Sequence, residues 1–196
     1  RVSKAQRDAG TVPEAQTAFQ AMLDTLTATT DAVDAAIPRT DLVLERNLAL
    51  KRSAWATRMA LGAVALRIQT SLSAGTPWSP AETVAAAEER GRLDATWNAA
   101  TETASNLSSK VRAAFERARA SDFEGVPLAR RLAVSNALAR NEPPRITLQE
   151  ARKLDTPEQA TIVDLASAAL DEMIARAEAL SQEARSVLIR NVAALL

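Results

Sequence analysis

The chain of 196 residues has no cysteine and no histidine. Thiolate and imidazole metal sites are thereby excluded, as are the Ser-His and Cys-His nucleophilic pairs. No two carboxylates have a spacing that suits acid–base work, and no glycine-rich phosphate loop exists. The sequence therefore points to no catalytic residue, no metal and no cofactor. Five glycines leave little room for the turns of an all-β fold, and only 3% of residues are aromatic. Strand-forming residues show no period-two alternation. Lys+Arg and Asp+Glu balance at 24 each, which argues against a nucleic-acid partner, since that would need a basic excess. No run of about 18 apolar residues is present, so no segment here is built to cross a bilayer as a helix.

What remains is 47% hydrophobic, with alanine the commonest residue. Alanine favours helix and close helix–helix approach. The chain is read as all-α, organised around Asp41 to Ser73, which has no proline and a single glycine. At about 100° per residue this stretch carries two apolar faces. Leu50, Ala54, Thr57, Leu61, Val64, Ile68 and Leu72 form one. Leu44, Leu48, Trp55, Met59, Gly62 and Leu66 form the other, roughly 150° away. Two faces predict a helix packed on two sides, inside a bundle or at a dimer contact. Arg46 lies on the first face, and Lys51 and Arg58 lie between the two. Cations so placed need an anion or a carboxylate to answer them.

The spacing elsewhere predicts three more long helices. The first spans about 1–37, with an interruption at Gly10 and Pro13, and stops at Pro38. Thr40 or Asp41 then caps the second, at about 41–74. Threonines 25, 27, 29 and 30 are expected to bond back to their own helix or to face a cavity. Ser79-Pro80-Ala81-Glu82 is a capping box that opens a third helix. Its stripe predicts one helix over about 80–120, with a break near Asn106 as the alternative. Residues 121–155 read as an irregular cap with a helical stretch from Val126 to Arg140. Thr147-Leu148-Gln149-Glu150 is a second capping box. Thr156-Pro157-Glu158 reads as the cap of a last helix over 156–196. The sum is an elongated up-down-up-down four-helix bundle, one domain over 1–196, with both ends at one pole. Arg1 reads as a cut within a longer protein. The apolar Val187 to Leu196 reads as a helix nearing a membrane segment or as a tail packed on the core.

This layout resembles the extracytoplasmic four-helix-bundle sensor domains of bacterial transmembrane receptors. These occur in chemoreceptors, sensor histidine kinases and diguanylate cyclases, and include a nitrate/nitrite-sensing type. Both ends at one pole carry the likeness, with the segment from Leu42 to Leu48 and its Glu45-Arg46 pair. The alanine-rich helix through Ala169, Ala177 and Ala184 adds to it. Asn47 stands where a glycine often follows that pair. The resemblance implies a periplasmic domain that binds a small solute, of which an anion is one class. It also implies a homodimer, and flanking transmembrane helices that pass the signal inward. Arg46, Lys51 and Arg58 are the candidate ligand residues, with ion pairing to neighbouring helices as the alternative. Trp55 and Trp97 fall at similar heights and are expected in one layer, as core or as the wall of a pocket. Trp78, in the turn, either anchors at an interface or closes the hairpin. The competing reading is a cytosolic helical scaffold or adaptor whose apolar faces engage partner helices.

Overall fold

A computed structural model describes residues 11–36, 41–104 and 107–194. Its elements are six α-helices and a π-helical turn, with no strand among the described residues. Contacts divide the chain into two units, Arg1–Asp41 and Leu42–Leu196.

The first unit contains α1, Thr11–Ala36. Thr25 donates to the Ala21 carbonyl and Thr29 to the Thr25 carbonyl, each at 2.8 Å. Those two hydroxyls bond back to their own helix, as one of the two expectations had it. The stripe from Val2 to Ala9, the interruption at Gly10, the stop at Pro38 and the Thr40 cap lie outside the described residues.

The second unit holds α2 (Leu42–Ala74), α3 (Pro80–Thr103), α4 (Ser109–Ala118), the π turn (Arg119–Phe123), α5 (Gly125–Ala139) and α6 (Leu148–Ala194). The box at Ser79 forms with both arms present and opens α3. Helices α2 and α3 make an antiparallel hairpin, cross-linked by Arg67 and Glu89. Trp78 closes the turn: its ring N–H donates to the Ser71 hydroxyl at 2.8 Å, and its backbone N–H to the Leu138 carbonyl at 3.1 Å. The chain returns through α4, the π turn and α5, antiparallel to α6. Lys110–Asp171, Asp122–Thr161 and Arg130–Glu158 are the contacts that set this register.

Three expectations are corrected. The third helix does not run through to residue 120. It ends at Thr103, and Ser108 accepts from the Val111 N–H to cap α4. Ser108 supplies that cap from its own side chain, and this outweighs the unbroken apolar phase. Residues 121–155 are not an irregular cap: most of them belong to the end of the π turn, to α5 and to the start of α6. Gly125 and Asn141 supply the positive φ values, each 59°, that bracket α5. The last helix starts at Leu148, capped by the Thr147–Glu150 box, and Pro157 lies inside it. The Thr156 hydroxyl donates to the Arg152 carbonyl rather than capping. Ala151, Ile162, Leu165, Ala169 and Met173 form one buried stripe on α6. That continuous burial outweighs the roughly 3 kcal/mol that an interior proline costs.

The core lies between α2, α3, α4 and α6, with Leu50, Ile162, Leu165 and Val111 fully enclosed. The first apolar face of α2 is buried from Leu50 to Ile68. The second face is divided. Leu44 and Leu48 are buried, whereas Trp55, Met59 and Leu66 are exposed.

Candidate functional site

The interior of the second unit holds Asn47, Thr57 and Ser71 as buried polar residues on α2, and its one buried carboxylate among the described residues lies where the π turn meets α5 and α6. The π turn places Asp122 inward with 0% exposure. π turns recur at functional sites because their extra residue re-aims a side chain. Here that side chain is a carboxylate. Its Oδ2 lies 3.0 Å from the Thr161 hydroxyl oxygen, and its Oδ1 has no hydrogen-bond partner. The same hydroxyl lies 2.7 Å from the Glu158 carbonyl. A hydroxyl has one hydrogen. With Asp122 protonated, all of this closes into a chain: Asp122 donates to Thr161, which donates to the Glu158 carbonyl. With Asp122 ionised, Thr161 must abandon one acceptor. Burial pushes the Asp122 carboxyl up to about 7, against the Thr161 contact and the Arg131 charge.

Arg131 on α5 faces this group. It donates to the Asp122 backbone carbonyl and lies over the Phe123 ring, 5.9 Å from its centroid. Burial holds its guanidinium below the usual arginine range. Arg130 beside it is paired with Glu158, whose carboxyl burial pushes upward. Asp155 accepts from Gln69 at 2.7 Å. Phe123 stacks on Trp97 with centroids 3.9 Å apart, and Trp97 stacks on Phe115 at 5.0 Å. Three rings thus brace the floor of the cluster, each pair contributing about 0.5–1.5 kcal/mol beyond area burial.

Arg131 separates two cavities. One, between α2, α5 and α6, measures about 30 Å³ and is lined by Ile68, Arg130, Arg131 and Glu158, among others. That is room for about two waters. The other is a groove between α2, α3 and α5 of about 150 Å³. Its walls include Val64, Trp78, Leu93, Leu128 and Leu132, and its polar members are Arg67, Thr83, Glu89, Arg90, Asp94, Arg131, Ser135 and Asn136.

Of the residues singled out from sequence, Trp97 lies beneath this cluster, stacked on Phe123, and the other four lie elsewhere. Arg46 and Lys51 are half-buried on α2. Arg58 is half-buried with its guanidinium over Gly62, where an added Cβ would approach Nη1 to 2.9 Å. It lines a shallow depression with Gln69, Arg152 and Gln159. Trp55 is 46% exposed, while Trp97 is 8% exposed in the core, and no ring contact joins them among the described residues. Sequence reasoning missed Asp122, Arg131 and Thr161. The one available signal was two adjacent arginines, Arg130 and Arg131, in a segment with apolar helical spacing.

No protein-family model matches the chain, and no curated protein or solved structure matches it significantly. No group of three or more acidic side chains that could hold a metal occurs among the described residues. No described helix is long and apolar enough to cross a membrane.

Proposed function

We propose that the chain is the extracytoplasmic ligand-sensing domain of a bacterial transmembrane receptor. It binds a small solute and passes that event to a cytoplasmic output domain. In this reading the second unit is an antiparallel four-helix bundle whose third rod is composite, made of α4, the π turn and α5. The register contacts from Lys110 to Glu158 support that arrangement.

The observation that carries the proposal is the polar interior around Asp122 and Arg131, flanked by a groove. A purely structural bundle has no need of a buried, incompletely partnered carboxylate, which costs stability. Helix α6 contributes Glu158 and Thr161 to this cluster and packs along α2 and α4. A ligand that favours one packing of the cluster would bias α6 as a whole. Sensing requires such differential binding, and about 5 kcal/mol of it converts one state fully to the other.

The homodimer belongs to the same proposal. Trp55, Met59 and Leu66 on α2 and Val163, Leu170 and Ile174 on α6 are all exposed. By helical phase they share the outer side of the α2–α6 seam. That face also favours the second reading, a scaffold whose exposed stripe receives a partner helix. A thermal-shift screen of anions, organic acids, amino acids, amines and sugars separates the two. A specific compound that raises the melting temperature supports sensing. A blank screen removes it and leaves the scaffold. Apolar runs of about 20 residues flanking this segment in the full gene product also favour the receptor.

A further inference from the structure

Among the arginines around the cluster and its groove, the partners can be assigned one by one. Arg67 is held by Glu89 through two hydrogen bonds of 2.7 and 2.6 Å. Arg90 pairs with Asp94 at 3.8 Å. Arg130 pairs with Glu158. Arg131 is different: its hydrogen bond goes to a backbone carbonyl, and among the described residues no carboxylate is hydrogen-bonded to it. A guanidinium has five N–H donors in a fixed fork. Asp122, Glu158 and Asp155 act on Arg131 only through space. Asp155 is already engaged by Gln69.

We propose that the groove between α2, α3 and α5 binds a small carboxylate with a compact apolar body, its anionic head received by Arg131. The fork matches a carboxylate in two parallel hydrogen bonds. Val64, Leu93, Leu128 and Leu132 supply apolar walls, and Trp78 closes the end nearest the α2–α3 turn. The volume of about 150 Å³ is some ten times what one water needs on the same measure. It suits a branched or aromatic monocarboxylate and excludes a large polyanion. The mutually neutralised Arg67–Glu89 and Arg90–Asp94 pairs leave the rest of the groove without a net charge to compete. This ligand class rests on the sensing function proposed above.

The test uses the full 196-residue chain and calorimetric titration with isovalerate and benzoate. Isovaleramide, benzamide and benzylamine serve as matched neutral and cationic probes. The acids are expected to bind at least about tenfold more tightly than the amides, and the amine not at all. Arg131→Gln is expected to weaken the acids about ten- to a hundredfold, the loss of a charge-assisted pair. Should that variant fail to fold, Ala87→Trp tests the same groove from an exposed rim position without touching the cluster. It should abolish binding by filling the space. Amides that bind as well as acids, or acid binding that survives either variant in folded form, overturn the carboxylate site and leave sensing intact. No binding by either acid also overturns it. Sensing itself falls only if the broader screen is blank as well.

Discussion

Replacing Asp122 by asparagine should abolish a pH dependence of stability that the wild-type chain carries. In the unfolded chain an aspartate titrates at about 3.9; in the fold Asp122 titrates at about 7. The folded state therefore holds the proton more tightly. Its advantage is complete below about pH 4 and is lost as pH rises through 7. Between pH 5 and pH 8 the linkage relation gives a loss of about 3 kcal/mol from this one group. Asparagine copies the neutral acid. One amide N–H can donate to Thr161, which keeps donating to the Glu158 carbonyl, while Oδ1 stays unpartnered and the second N–H becomes a new unpartnered donor. That second N–H should cost the variant about 1–3 kcal/mol relative to the wild type at pH 5. By pH 8 the difference should have moved in the variant's favour by about 3 kcal/mol, the amount the wild type loses. Denaturant titrations at pH 5, 6, 7 and 8, followed by tryptophan emission, measure the difference. Trp97 is a built-in probe, since it stacks on Phe123, the neighbour of Asp122. Other titrating groups largely cancel when variant and parent are subtracted. A difference that stays flat from pH 5 to pH 8 would refute the reasoning, because it would mean that Asp122 is ionised throughout or in contact with solvent.

Three further outcomes follow from the packing. Pro157→Ala restores an interior N–H in α6 and should stabilise the chain by about 1–3 kcal/mol, read as a higher denaturation midpoint. Ser79→Ala removes the cap of α3 and should cost about 1 kcal/mol, with Thr147→Ala costing a similar amount at α6. Ile162→Ala opens a cavity at a fully buried position and should cost about 2–5 kcal/mol; a loss under 1 kcal/mol would show that the α6 seam is loosely packed.

Local chemistry was legible in the sequence wherever one residue satisfies another close by. The boxes at Ser79 and Thr147 are read from four residues each, and both form. The burial of Leu50, Ala54, Leu61, Val64 and Ile68 follows from phase alone. The misreadings all involve competition between local and distant forces. Pro157 marks a helix start by local rules, yet the α6 stripe passes through it because Ala151 and Ile162 bury on the same seam. The apolar phase through Asn106 suggests one helix, yet Ser108 offers a cap and the chain turns back. The candidate site was harder still. Cations on α2 attract notice because they interrupt an apolar pattern. Asp122 interrupts nothing, and its burial depends on a π turn and on α6 residues about 40 positions later.

Helix α6 is 47 residues long, and it has two regimes. From Ala151 to Met173 it is anchored by buried side chains, while from Ser181 to Ala193 every residue is exposed. A helix that short is marginal in water by itself, because the first turn is costly to nucleate. The exposed portion has no need to nucleate: it propagates from turns already wound against α2 and α4. Its winding is therefore borrowed, and any event that loosens the anchored portion lowers helicity well beyond the residues it touches.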